Sequence, residues 1–280
     1  MPRFDDRELI LLDGAMGTAL EASGLALPAP DWSAHAVLHH PQAVRELHLA
    51  YARAGAEVLT ACTFRTTFRA LGEGWEEVAH RAVELAREAA ASVDHEVRVA
   101  GSIAPLEDCW RPDLSPPDPG PEHRALAGVL ADAGVDLLLC ETFTHVGEGH
   151  SAARAAASTG LPVWLSFSAG PSGDLLDFDD LVDAFDNANL TGADALLLNC
   201  VPLAVVEAVY PLLGEFGLPW GVYPNAGAVQ EGHAGPPLDP ATFARVAQRW
   251  VEAGASIVGG CCGTTPAHLE ALAARLAGRR

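Results

Sequence analysis

Eight times along the chain a short apolar run ends in a polar residue and gives way to a longer segment with helical spacing, and this recurrence limits the fold more than any single motif. The runs cover 9–12, 58–61, 97–101, 137–140, 163–167, 195–198, 220–223 and 257–260. None alternates strictly between apolar and polar residues, so each reads as a strand covered on both faces, as in a parallel sheet. Breakers place the helices over 41–54, 76–92, 122–133, 147–158, 179–189, 204–216, 241–253 and 267–277, with starts at Asp239-Pro240 and Thr265-Pro266. A related tetrapeptide precedes every second run: Ala54-Gly55-Ala56-Glu57, Ala133-Gly134-Val135-Asp136, Thr191-Gly192-Ala193-Asp194 and Ala253-Gly254-Ala255-Ser256. Its glycine is expected in the left-handed conformation that ends a helix. Eight strand–helix units in 280 residues predict a (β/α)8 TIM barrel, formed as a single domain over 1–280. An open, doubly wound sheet is the alternative. The proline-rich stretch 112–121 follows the third run and is expected as a long loop on the face where barrels keep their sites.

Composition narrows the function. Acidic side chains number 37 against 17 basic ones, a formal charge of −20 that repels phosphate backbones and anionic lipid heads. Nucleic acid and membrane surfaces are therefore not expected partners. Every basic residue is arginine, so the chain supplies neither a Schiff-base lysine nor a phosphate-loop lysine. No stretch of 18 uninterrupted apolar residues occurs, and no long apolar core stands behind the charged residues Met1–Arg7. A cytoplasmic location is expected, where six cysteines read as thiols or metal ligands and not as disulfides.

In a barrel the residues that end the strands converge on one mouth. Here they are Asp13-Gly14, Cys62-Thr63, Ser102, Glu141-Thr142, Ser166 and Ser168, Asn199-Cys200, Tyr223-Pro224-Asn225 and Cys261-Cys262. Three cysteines finish the sixth and eighth runs. Thiolates from separate strand ends can surround one Zn²⁺, and three protein ligands with an open fourth position is the pattern of a catalytic site. Adjacent residues on a regular strand point to opposite sides, so a shared ion requires the Cys261-Cys262 backbone to leave strand geometry. Gly259, Gly260 and Gly263 permit that. Zinc with three thiolates is a poor Lewis acid for water and suits an incoming thiol. Asp13 and Glu141 could then receive a substrate ammonium group. Cys62, Cys109 and Cys140 read as small packing residues.

These residues resemble the homocysteine S-methyltransferase family of zinc-dependent barrels, from about Leu11 to Leu272. The segment Gly259-Gly260-Cys261-Cys262-Gly263-Thr264-Thr265-Pro266 carries most of the likeness, supported by Asp13-Gly14-Ala15-Met16-Gly17-Thr18, Asn199-Cys200 and Tyr223-Pro224-Asn225. The resemblance implies Cys200, Cys261 and Cys262 as zinc ligands and Asp13 and Glu141 as holders of the homocysteine amino group. Thr63 and Ser168 are implied for its carboxylate, and Trp110 and Asn225 lie on the donor side. The implied reaction belongs to methionine biosynthesis: homocysteine thiolate displaces a methyl group from a positively charged donor, with no catalytic residue beyond the zinc-activated substrate thiolate. Two segments depart from the family pattern, Ala61-Cys62-Thr63-Phe64 and the loop Ala104-Pro105-Leu106-Glu107-Asp108-Cys109-Trp110.

A sulfonium or quaternary ammonium donor favours aromatic faces, and Trp32, Phe64, Trp110, Trp220 and Tyr223 fall near expected loops. S-methylmethionine or S-adenosylmethionine is the expected donor class, ahead of betaine. Two rival functions stay open at this point. A metal-dependent barrel hydrolase needs histidine or carboxylate ligands, whereas the first strand ends in Asp13-Gly14 and the 11 histidines are scattered. A non-catalytic barrel braced by zinc would keep its ion away from incoming thiols. Oligomeric state is left open.

Overall fold

The computed structural model describes residues 9–279 apart from 228, 231–232 and 235–236. Each of the eight runs forms a strand, and all pair in parallel. In chain order they are Ile10–Leu11, Val58–Ala61, Arg98–Ile103, Leu137–Phe143, Val163–Phe167, Ala195–Asn199, Trp220–Tyr223 and Ile257–Val258. The second to seventh strands neighbour one another in sequence order, and the eighth lies between the seventh and the first. Leu12 bridges Val58, Asp13 N–H donates to Val58 O at 3.1 Å and Glu57 N–H donates to Leu11 O at 2.8 Å. Those contacts join the first strand to the second and close the ring, so the chain is a (β/α)8 barrel and not an open sheet.

The eight expected helices form as Pro41–Arg53, Trp75–Ala90, Gly120–Asp132, Val146–Ala157, Phe178–Asp186, Leu203–Leu213, Pro240–Glu252 and Pro266–Leu276. Their apolar faces and the outward side chains of the strands make the main core, while Ile10, Leu12, Leu137, Leu139, Trp164, Leu197 and Ile257 fill the barrel interior. None of these helices is long and apolar enough to cross a membrane.

The tetrapeptide glycines all take the left-handed conformation, with φ of 104° at Gly55, 85° at Gly134, 86° at Gly192 and 107° at Gly254. Behind three of them the helix closes with a six-residue hydrogen bond, from Ala56, Val135 and Ala255 N–H to Tyr51, Leu130 and Trp250 O. In three of the four tetrapeptides the last residue then has a task of its own. Glu57, Asp136 and Asp194 accept from Leu11, Val99 and Val163 N–H at 2.8, 2.7 and 3.0 Å, satisfying the entry of the neighbouring odd-numbered strand.

Three further helices, Gly17–Ala22, Ser33–His39 and Phe68–Leu71, were not visible in the sequence pattern. Segments this short do not hold a helix in water on their own. Leu20, Ala34, Ala36 and Val37 are instead buried with Val44, Cys62 and Val78 in a satellite core that walls the mouth after the first two strands. The eighth strand stops at Val258, two residues before its expected end. A Cβ at position 259 would stand 2.9 Å from Leu12 and from the Asp13 carbonyl, so only glycine lets the chain turn there.

Candidate metal centre and substrate cavity

That early exit from strand geometry is what brings two adjacent cysteines to one point. Gly260 N–H donates to Asp13 O at 3.1 Å, Cys261 N–H to Pro224 O at 2.8 Å, and Cys262 O accepts from Ala226 N–H at 2.9 Å. Thr264 closes the turn by donating from Oγ1 to Cys261 O at 2.7 Å, and the same Oγ1 accepts from Ala15 N–H at 3.1 Å. The two sequence motifs at 13–18 and 259–266 are thus one docked unit, with Gly14 flush against Thr264 and Tyr51. Cys200 arrives from the end of the sixth strand, next but one to the eighth in the ring, with a φ of 51°, a strained value for a residue with a side chain.

The Sγ atoms of Cys200, Cys261 and Cys262 all lie within 4.8 Å of one another, with Cys200 and Cys262 at 3.6 Å. Around a tetrahedral ion with metal–sulfur bonds of ~2.3 Å, sulfurs stand ~3.8 Å apart. The cluster therefore fits one thiophilic cation, and among the described residues no other group of histidine, cysteine or carboxylate side chains does. Without a cation the three sulfurs share their protons unequally. Hydrogen bonds from Cys200 and Cys261 hold Cys262 well below the ordinary thiol value, while hydrogen bonding to the two neighbouring sulfurs, then burial, pushes Cys200 well above it. A bound dication removes that frustration by stabilising all three thiolates.

All three cysteines line a cavity of about 820 Å³ at the barrel mouth, together with Asp13, Glu141, Tyr223, Met16, Trp32, Phe64 and Trp110. Asp13 is 2 % exposed and accepts from Thr60 N–H and from Thr60 Oγ1, both at 2.8 Å. Glu141 is 8 % exposed and accepts from Ser102 Oγ and, at 3.2 Å, from Tyr223 Oη. Burial pushes Asp13 up to about 8 and Glu141 up to about 7, and the repulsion between them adds to the first. Two buried carboxylates without a cation are poised to accept one.

The aim of Glu141 is set by its neighbour. Thr142 has a φ of 63°, an outlier for a β-branched residue. Asn199 pins it there, accepting from Thr142 N–H at 3.0 Å and donating to Thr142 Oγ1 at 2.8 Å, while Ser166 Oγ donates to Asn199 Oδ1 at 2.7 Å. One amide thus ties together the ends of the fourth, fifth and sixth strands.

The other expected site residues fall in different places. Trp110 lines the cavity, as do Trp32, Phe64 and Tyr223, whereas Trp220 packs in the main core. Thr63 does not line it: its hydroxyl donates to Ser102 O and accepts from Ser102 N–H, both at 2.9 Å, joining the second and third strands. Ser168 Oγ donates to Cys200 O at 3.3 Å and accepts from Gly170 N–H at 3.1 Å, bracing the strained cysteine from behind. Asn225 is buried, and among the described residues neither of its side-chain polar atoms has a hydrogen-bond partner. Cys62 and Cys109 also border the cavity, each pushed up to about 12 by burial, and Cys140 sits in the main core. Sequence reasoning missed Thr60, Ser102 and Tyr223 as carboxylate partners, Asn199 as a clamp and Arg65 in the cavity wall; their pairings join strands far apart in the chain, and no local spacing announces them.

Comparison with known proteins agrees with this geometry. The family described as homocysteine S-methyltransferase matches residues 10–276. A homocysteine S-methyltransferase of Escherichia coli (strain K12) is 36 % identical, covering 97 % of this chain and 96 % of its own. An S-methylmethionine–homocysteine S-methyltransferase of Pongo abelii, BHMT2, is 30 % identical over 100 % of this chain and 82 % of its own. The metallated form of the Escherichia coli homocysteine methyltransferase MmuM superimposes with a TM-score of 0.80 at 32 % identity, over 96 % of both chains. With its cysteine cluster, paired carboxylates and closed barrel, the chain belongs to the homocysteine S-methyltransferase family.

Proposed function

We propose that this barrel transfers a methyl group from S-methylmethionine to homocysteine, with zinc held by Cys200, Cys261 and Cys262. The observation that carries the reading is the arrangement of three convergent sulfurs and two buried carboxylates on one cavity. Zinc bound to three thiolates supplies a site at which an arriving thiol loses its proton near neutral pH.

The chain's own residues do the rest. Asp13 and Glu141 take the acceptor's ammonium group, which relieves their mutual repulsion and fixes the thiol end toward the cysteines. Thr60, Ser102 and Tyr223 keep the two carboxylates in place. Trp32 and Trp110 also line the cavity and offer a sulfonium aromatic faces. In the displacement a new carbon–sulfur bond forms on homocysteine as the donor's methyl–sulfur bond breaks, and the electron pair stays on the departing thioether. One S-methylmethionine and one homocysteine thus yield two methionines and one proton. In-line placement of donor and acceptor is the protein's main contribution to the rate.

The hydrolase alternative lacks support, because the metal-capable group is all sulfur. A purely bracing ion is disfavoured because all three sulfurs face the cavity. S-methylmethionine deuterated on both S-methyl groups, supplied with backbone-¹³C homocysteine, tests the proposal: methionine carrying both the ¹³C backbone and the deuteromethyl group, with about one zinc per chain, is the expected result. No labelled methionine from homocysteine in zinc-replete protein would overturn it.

A further inference from the structure

The proposed reaction leaves one cavity group unused. Among the described residues two cationic side chains line the cavity, Arg65 and Arg69. Arg69 is neutralised by Glu107 and Glu122, the latter at 2.6 Å. Arg65 has no carboxylate partner among the described residues. One guanidinium N–H, from Nη1, donates to the main-chain carbonyl of Glu107 at 2.7 Å, and Cζ lies 5.3 Å from the centre of the Phe64 ring. Those two contacts fix the guanidinium across the loops that follow the second and third strands, with Nε and Nη2 left to donate elsewhere. In a chain of formal charge −20, whose cavity also presents Glu21, Glu107 and Asp108, a cation held by a carbonyl and a ring face is prepared for an anion from outside.

Resting on the methyl-transfer reading, we propose that Arg65 binds the α-carboxylate of the methyl donor. The acceptor's ammonium belongs with Asp13 and Glu141 at the strand ends, and Arg65 stands four residues beyond the second strand in the outer wall. A cavity of about 820 Å³ has room for two amino acids at once. Charge dictates the donor's orientation as well. A sulfonium is repelled by a guanidinium, so a donor anchored at Arg65 by its carboxylate turns its methylated sulfur away from that arginine and toward the cysteines. Arg65 is then a specificity-determining residue, selecting sulfonium donors that carry a free carboxylate.

Calorimetric binding of S-methylmethionine and of its carboxamide to zinc-loaded wild type, Arg65→Gln, Arg65→Lys and Arg69→Gln tests this, alongside methyl-transfer kinetics. Wild type is expected to favour the acid over the amide by about 10- to 100-fold, the worth of a charge-assisted bond. Arg65→Gln should bind both equally weakly while homocysteine affinity stays within about twofold, since its anchors are elsewhere. Arg65→Lys should recover part of the preference through its charge without the planar fork. Arg69→Gln should keep it. Equal binding of acid and amide by wild type overturns the proposal whatever the variants do. So does loss of the preference in Arg69→Gln, or a weakening of homocysteine in place of the donor in Arg65→Gln. Methyl transfer without acid preference sinks this inference alone; absence of any transfer to homocysteine sinks the functional reading, and this inference with it.

Discussion

The two rims of the barrel are built on opposite terms. At the end where strands begin, the same device recurs around the ring: a glycine in its preferred left-handed conformation, followed in three of the four cases by an acidic residue that accepts a main-chain N–H at the start of the preceding strand. Among the described residues no side-chain-bearing residue there takes a positive φ. At the end where strands finish, Thr142 and Cys200 are forced to positive φ, two carboxylates are buried without a cation, and three sulfurs compete for protons. Unstrained repetition stabilises one rim, and the other spends part of that stability on groups held where a substrate needs them.

The contrast can be broken most severely at the sulfurs. Cys261→Ser is expected to lose bound zinc by metal analysis and to slow methyl transfer by ~10³-fold or more, because thiol activation depends on the complete set. Retention of full metal and activity would mean the cluster is not the working centre. Next comes Glu141→Gln, expected to lower kcat/KM for homocysteine by roughly 30- to 1,000-fold through loss of a buried charge partner. A pH titration sharpens the point. Above the ordinary carboxylate values of 3.8 and 4.5 an unfolded chain has released protons that folded Asp13 and Glu141 keep until about 8 and about 7. The folded state binds more protons in that window, so the stability of substrate-free protein falls as pH rises through it, each tenfold in proton affinity being worth ~1.4 kcal/mol. Affinity for homocysteine should move the opposite way, strengthening from pH 6 to 8 as the carboxylates ionise.

Smaller effects separate the rims themselves. Asn199→Ala removes the clamp on Thr142 and is expected to cost ~1–3 kcal/mol in chemical denaturation while raising KM for homocysteine, since Glu141 loses its aim. Gly134→Ala meets no atom within 4 Å and pays only for its φ of 85°, about 1–2 kcal/mol, with kcat and KM unchanged. Altered kinetics in that variant would show that the rims are coupled.

Much of this molecule is legible without coordinates, and the reason is range. The eight strands, their helices and the four glycine caps are each announced by an apolar run, a helical spacing or a breaker that fits within a short window of the chain. Cys261 and Cys262 stand out because a pair of thiols in a glycine-rich turn is costly to explain by packing. The three small helices at the mouth left no such trace: buried contacts from distant segments hold the first two, and the Thr67 cap with a half-buried Leu71 holds the third. Thr63 and Ser168 show the same limit from the other side: their position at strand ends is evident, but only the folded backbone reveals that both hydroxyls are occupied by main-chain partners.

The sequence by itself determined the barrel and the convergence of three cysteines at its mouth, because repeated local preferences and a closed parallel ring leave few other arrangements. Only the tertiary structure decided which groups are charged, which are strained and which are free to meet a substrate. Those properties follow from burial and from hydrogen bonds between strands distant in the chain, as with Asn199 and Thr142 or Asp13 and Thr60.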